Sequence, residues 1–300
     1  MGLFRRIECP AKLNLCLYVQ GKRDDSFHDI ASLAVQVDFC DRMAIRFSDE
    51  ASDDMMFCDI PDIPTNYKNI IMKALRMFRD VYDFPYRISV SLEKNIPIGS
   101  GLGGGSSNAA YFLKLLNEML AFPLSRDELF AVAARVGSDV PLFLSSSPCI
   151  VKGRGDVVLS VASQRLAGLR AIKFLIFKPI FSIATEEAYE ILDVSSAVYF
   201  SSGEFTSRNI QQMLLQLENG VPAFHNVFQP LIGGKYLELG VIFRDLVNYF
   251  KARAYLTGTG SACFVPLPTN YGTKPMVEYL HEVLGESAFI VETKARTFDQ

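Results

Sequence analysis

Ile96-Pro97-Ile98-Gly99-Ser100-Gly101-Leu102-Gly103-Gly104-Gly105-Ser106-Ser107-Asn108-Ala109-Ala110 is the stretch from which the rest of the chain is read. A glycine-rich loop runs here directly into a helical pattern, with Ala109, Leu113, Leu116 and Leu120 at helical spacing. Glycines lack a Cβ, so such a loop can set several backbone N–H groups against one anion. The helix start adds further unpaired N–H groups and the positive end of its dipole. A polyphosphate is the expected ligand, and a ligand-free glycine loop is the alternative. Ser106 or Ser107 is expected at the N-cap, and Ser107 is assigned to the donor phosphates or their Mg²⁺.

Other phosphate loops do not fit. A P-loop needs Lys-Ser or Lys-Thr after its last glycine, and Ser106-Ser107 follow Gly105 instead. Gly99, Gly101 and Gly104 satisfy G-x-G-x-x-G, but Ala121 to Leu124 offers no acidic residue where a dinucleotide site wants one. The protein-kinase loop requires valine where Ser106 stands.

Working outward, Ile88 to Leu92 alternates as a half-buried strand and delivers the chain to Lys94 and the loop. Glu8 to Leu17 also reads as a strand. Ser125-Arg126-Asp127-Glu128 is a capping box, and its helix is expected to stop at Gly137. Pro141 suits the start of the next helix, which leaves Asp139 in a tight corner. Further on, Lys173 to Phe177 and Ala262 to Leu267 read as strands. Thr185 to Leu192, Phe205 to Glu218 and Met276 to Leu284 read as helices. Strands and helices mix without regular βαβ alternation, so the expected class is α+β. The pattern weakens around Val158 to Arg170, and the domains are expected to be 1–160 and 161–300.

The 300 residues carry a net charge of −3, which gives no basic surface for nucleic acid. The six cysteines are scattered without a C-x-x-C pair, and the three histidines lack metal-ligand spacing. No apolar run approaches membrane-spanning length, and no apolar segment follows the two N-terminal arginines, so no signal peptide is expected. A cytoplasmic protein with reduced thiols is expected, with neither nucleic acid nor membrane as partner.

Phosphoryl transfer needs a cradle, a cation and a positioned base. Asp139 is the candidate base, with a helix-capping role as the alternative. Lys12 and Asn14 lie two apart on one strand face, opposite Leu13 and Leu15. Lys12 is the candidate cation that favours ionised Asp139, the alternative being a solvated strand lysine.

Pro97 to Ala110 and Gly137-Ser138-Asp139-Val140-Pro141 resemble the phosphate-binding and G-x-D-V-P motifs of the GHMP kinases. Pro10 to Leu15, Phe27-His28-Asp29 and Thr257-Gly258-Thr259-Gly260-Ser261 are similar to one branch of that family. That branch phosphorylates the 2-hydroxyl of a methylerythritol bearing cytidine diphosphate, in non-mevalonate isoprenoid synthesis. The resemblance implies a two-domain fold with ATP and substrate in the intervening cleft. It implies that Asp139 is the catalytic base and Lys12 its partner. Pro97, Gly99, Ser100, Gly101, Leu102, Gly103, Gly104, Gly105, Ser106, Ser107 and Asn108 would bind ATP, with Lys94 and Asn66 near adenine or ribose. Asn14, Phe27, His28, Asp139, Thr185 and Tyr189 would bind substrate. On local sequence Phe27 reads as a core aromatic and His28 as an exposed turn residue. The resemblance implies instead that Phe27 covers one cytosine face while His28 bonds its edge; Tyr189, one helical turn after Thr185, is the candidate for the other face, a surface or core helix tyrosine being the alternative. Ser100, Ser138 and Phe27 depart from the residues common at these positions in the branch.

Overall fold

The structure, a computed structural model, describes residues 4–48, 53–145, 148–195, 200–220 and 223–296. Two long antiparallel strands, β1 (Phe4–Lys22) and β2 (His28–Ser48), form its spine. β1 is buried without interruption from Cys9 to Val19, so simple polar–apolar alternation could not reveal its full length. Its register with β2 shifts between Asn14 and Cys16. Such a bulge re-aims the side chains beyond it, and here it lies two residues past Lys12.

β3 (Met55–Cys58) and β4 (Arg87–Glu93) extend the sheet on one side, in the order β3-β4-β2-β1-β8. β5 (Cys149–Gly153) pairs with the first half of β2, and β6 (Val157–Ser160) pairs with β5. β4 shows the alternation expected of Ile88 to Leu92, with Ile88, Val90 and Leu92 buried. Four helices pack on this sheet: α1 (Ile70–Arg79), α2 (Gly104–Met119), α3 (Arg126–Val136) and α4 (Val140–Leu144). α3 begins with the Ser125–Glu128 capping box, and Gly137 is its C-cap.

A second, four-stranded antiparallel sheet has the order β11-β7-β10-β9. Its strands are β7 (Ile172–Lys178), β9 (Tyr255–Leu256), β10 (Cys263–Pro268) and β11 (Phe289–Lys294). Helices α5 (Thr185–Val194), α6 (Gly203–Glu218), α7 (Gln229–Lys235), α8 (Leu237–Phe250) and α9 (Lys274–Leu284) belong to this half. A 3₁₀ segment, Ser163–Ala171, leads into β7. The α+β class expected from the mixed pattern is the class observed.

Two late segments return to the first sheet. β8 (His225–Asn226) pairs parallel with β1 at Cys16 and Leu17, and Ala295 bridges to Val37. The core spanning β1, β2, β7, β10 and α6 joins Leu13, Leu15, Leu33, Phe174, Leu214 and Phe264 in one cluster.

Candidate active site

α2 starts at Gly104, and its N-cap is Gly103, in the left-handed region at φ 74°. Neither Ser106 nor Ser107 caps the helix, because the glycine turn opens it before the serines are reached. The Ser107 N–H already bonds the Gly103 carbonyl at 2.9 Å. The Ser107 hydroxyl is fully buried, lacks a hydrogen-bond partner among the described residues and is not among the residues that line the cleft. Gly104, Gly105 and Ser106 line the cleft instead. Their N–H groups belong to the first helical turn, where no intrahelical acceptor exists.

Close backbone approach explains the glycines. A Cβ on Gly101 (φ 78°) would stand 2.3 Å from the Thr257 carbonyl oxygen, and one on Gly103 would meet the Phe143 ring at 2.8 Å. Ser100 is absent from the residues of positive φ, so a serine is tolerated there. Its carbonyl accepts the Ala262 N–H at 3.0 Å, tying the loop to the segment before β10. Leu102 is buried in the core rather than lining the cleft, and only its carbonyl acts nearby, accepting the Lys12 N–H at 2.9 Å.

Asp41, on β2, anchors the loop's base. Its carboxylate is fully buried and accepts the N–H groups of Asn95 and Ile96, each at 2.8 Å. It also accepts from Asn108 Nδ2 at 2.8 Å and pairs with the Lys94 ammonium. Lys94 and Asn108 both line the cleft. A buried carboxylate persists only where charge and donors compensate its lost hydration, and Asp41 has both. Asn66 is exposed and does not line the cleft; its Oδ1 closes a turn by accepting the Lys68 N–H at 3.0 Å. In that segment the cleft is lined by Lys68, Asn69 and Ile70.

Lys12 is not a solvated strand lysine. It is 4% exposed, and its ammonium donates to Asn14 Oδ1. Burial pulls its pKa below the usual lysine range, while the Asp139 carboxylate acts in the opposite direction. No ion pair within 4 Å joins Lys12 to Asp139 among the described residues, so the two interact across a gap. Asn14 is held by Ser32 Oγ at 2.8 Å, and its N–H donates to Thr257 Oγ1 at 3.1 Å. Asn226 on β8 donates to the carbonyls of Leu256 and Gly258, at 2.7 and 2.9 Å, so the second glycine loop is fixed against β1.

Asp139 occupies the N-cap position of α4, yet its side chain makes no capping hydrogen bond. Pro141 in the first turn removes one N–H that a cap would serve. The carboxylate is thus available to the cleft, which it lines with Lys12 and the glycine loop.

The other part of the cleft is aromatic. Phe27 and His28 reverse the roles that local sequence suggests: Phe27 is 52% exposed and His28 only 7%. His28 stacks on Tyr189 with centroids 4.5 Å apart, and its Nε2 lies 2.7 Å from Asp193 Oδ1. Burial pushes the Tyr189 phenol up, and the Asp139 carboxylate pushes it further. Thr185 begins α5 and lines the same cleft, its Oγ1 3.5 Å from Thr259 Oγ1. The whole cleft has a volume of about 1060 Å³. Asp41, Arg154 and Asp193 shape it but escaped the sequence reading. None lies within a motif: Asp193 is one helical turn past Tyr189 on α5, Arg154 is in the turn after β5, and Asp41 is on β2.

The profile of the GHMP kinases N terminal domain matches residues 69–147. The chain is 35% identical over 259 residues to the 4-diphosphocytidyl-2-C-methyl-D-erythritol kinase of Thermodesulfovibrio yellowstonii, covering 85% of this chain and 86% of that one. It is 30% identical over 283 residues to the kinase of the same name from Syntrophotalea carbinolica, covering 94% and 96%. A solved 4-(cytidine 5'-diphospho)-2C-methyl-D-erythritol kinase shares the fold, with a TM-score of 0.75 at 24% identity over 97% of this chain and 100% of that one. The homoserine kinase of Cytophaga hutchinsonii also shares it, with a TM-score of 0.73 at 15% identity over 97% and 95%. A glycine loop inside the matched profile, joined to likeness along nearly the whole length of named relatives, leads to one assignment: the chain belongs to the 4-diphosphocytidyl-2-C-methyl-D-erythritol kinase family of the GHMP kinases.

Proposed function

We propose that this protein transfers the γ-phosphoryl group of ATP to the 2-hydroxyl of 4-diphosphocytidyl-2-C-methyl-D-erythritol. The observation that carries the reading is the position of Asp139. Its carboxylate is uncommitted to the helix it heads and shares one cleft with buried Lys12 and the glycine loop. In the reaction the substrate oxygen forms a bond to the γ-phosphorus while the bond to the bridging oxygen breaks. The hydroxyl proton passes to Asp139, and ADP leaves. Lys12 stabilises negative charge on the attacking oxygen and favours the ionised base.

The glycine cradle fits a triphosphate. Gly101 and Gly103 leave no room for a Cβ, and the first-turn N–H groups of α2 are not used by a side-chain cap. Among the described residues no group of three or more His, Cys, Asp or Glu side chains could hold a metal ion. That favours Mg²⁺ carried mainly by ATP oxygens, as is usual for this ion, with Ser106 and Asp139 among the cleft side chains that could reach it. When bound, Mg²⁺ supplies positive charge to the transferring phosphoryl group.

Phe27, His28 and Tyr189 are read as the cytosine subsite and Thr185 as a further substrate contact. We also read the chain as two domains, 1–160 and 161–300, with this cleft between them.

The test is ATP consumption by the purified protein with Mg²⁺ and the named substrate, beside Asp139→Asn. Turnover falling by about 10²- to 10⁴-fold in the variant is expected. Turnover that survives removes Asp139 from its role, and wild-type protein that binds ATP without turnover refutes the substrate.

A further inference from the structure

We propose that Arg154 binds the diphosphate of the substrate, between the cytosine subsite and the reacting hydroxyl; this rests on the functional reading above. Arg154 sits in the turn between β5 and β6 and lines the cleft. Its guanidinium carbon lies 5.1 Å from the centroid of the exposed Phe27 ring. The next residue, Gly155, reaches the opposite feature of the site: a Cβ there would stand 3.4 Å from Asp139 Oδ1. One turn thus adjoins both the stacking ring and the base. A cytidine diphosphate ester has the same order along its length, with the base at one end, the sugar alcohol at the other and two phosphates between.

The other cleft cations are paired, buried or placed at the phosphate loop, as Lys68 is beside Asn69 and Ile70, the latter facing Gly105. Lys94 is paired with buried Asp41, Lys22 with Asp193 at 2.6 Å, and Lys12 is buried against Asn14. Arg154 is held only loosely, with Asp25 at 3.9 Å and Asp156 at 3.6 Å, and its side chain is 41% exposed. Two long, solvent-screened contacts are weak. A diphosphate offers the planar guanidinium a better, bidentate partner. Those two aspartates would hold the side chain near the ring until substrate displaces them.

The test is calorimetric binding of CDP and of cytidine to the full-length wild type, Arg154→Met and Arg154→Lys. Methionine keeps apolar cover over Phe27 and removes the charge. The wild type should prefer CDP to cytidine. In Arg154→Met, CDP affinity should fall about tenfold or more while cytidine changes far less. Arg154→Lys should recover part of the preference. In steady state the methionine variant should raise KM for the diphosphocytidyl substrate and leave KM for ATP unchanged. Unaltered CDP preference in Arg154→Met overturns the assignment alone. Equal loss of both ligands also overturns it, assigning Arg154 to the base. Failure of the wild type to bind either ligand overturns the assignment together with the cytidine reading.

Discussion

Lys12 stands where an ammonium is poorly hydrated, and the consequence is a pair of opposed pH responses. Burial holds its folded-state pKa below the ordinary lysine value. Between the two values the unfolded chain therefore binds more protons than the folded one, and this group's contribution to stability rises with pH. In the proposed mechanism phosphoryl transfer uses the cation, so activity should fall over the same window. Lys12→Met should lower kcat by about a hundredfold or more yet melt no lower than wild type near neutrality. Its stability advantage should shrink as pH climbs toward the lysine range. Thermal melts of both proteins against pH, beside the rate profile, test this; a variant less stable at neutrality and no closer at alkaline pH would contradict it.

At the scale of elements, the glycine loop depends on what lies behind it. Asp41→Ala would leave the N–H groups of Asn95 and Ile96 without their acceptor and Lys94 without its carboxylate, with Asn108 Oδ1 at 3.2 Å left to accept from the ammonium. A loss of about 3–5 kcal/mol in denaturant unfolding is expected, with a raised KM for ATP. Gly101→Ala should weaken ATP binding at least tenfold, because a Cβ cannot coexist with the Thr257 carbonyl and positive φ adds about 1–2 kcal/mol of strain. Equilibrium titration with a nucleotide analogue measures it. The sequence was legible where signals are local. The capping box at Ser125, the alternation of Ile88 to Leu92 and the stop at Gly137 needed no knowledge of the rest of the fold. The start of α2 was misread because serine at a cap is the commoner choice, and here the left-handed turn of Gly103 does that work. β2 left little trace because its two halves pair with different strands, and its polar Asp41 looks like a strand end when it is a buried anchor. Phe27 and His28 were exchanged in burial because adjacent residues on a turn take opposite sides, and nothing in sequence says which side is inside.

At the scale of the whole molecule, β8 and the bridge at Ala295 tie late segments to β1 and β2, and one core cluster spans both sheets. Unfolding should accordingly be a single cooperative transition in calorimetry; two separated transitions would contradict this reading. An ATP analogue or CDP at about a hundredfold over its Kd should raise the midpoint on the order of 5 °C.

The exposed ring of Phe27 has a practical corollary. The chain contains no tryptophan, so its fluorescence background in the indole band is empty. Phe27→Trp would introduce a single indole emitter at the cleft surface, where a nucleobase stacking on it should quench the signal, and stopped-flow mixing would then time the arrival of the pyrimidine separately from that of the nucleotide donor.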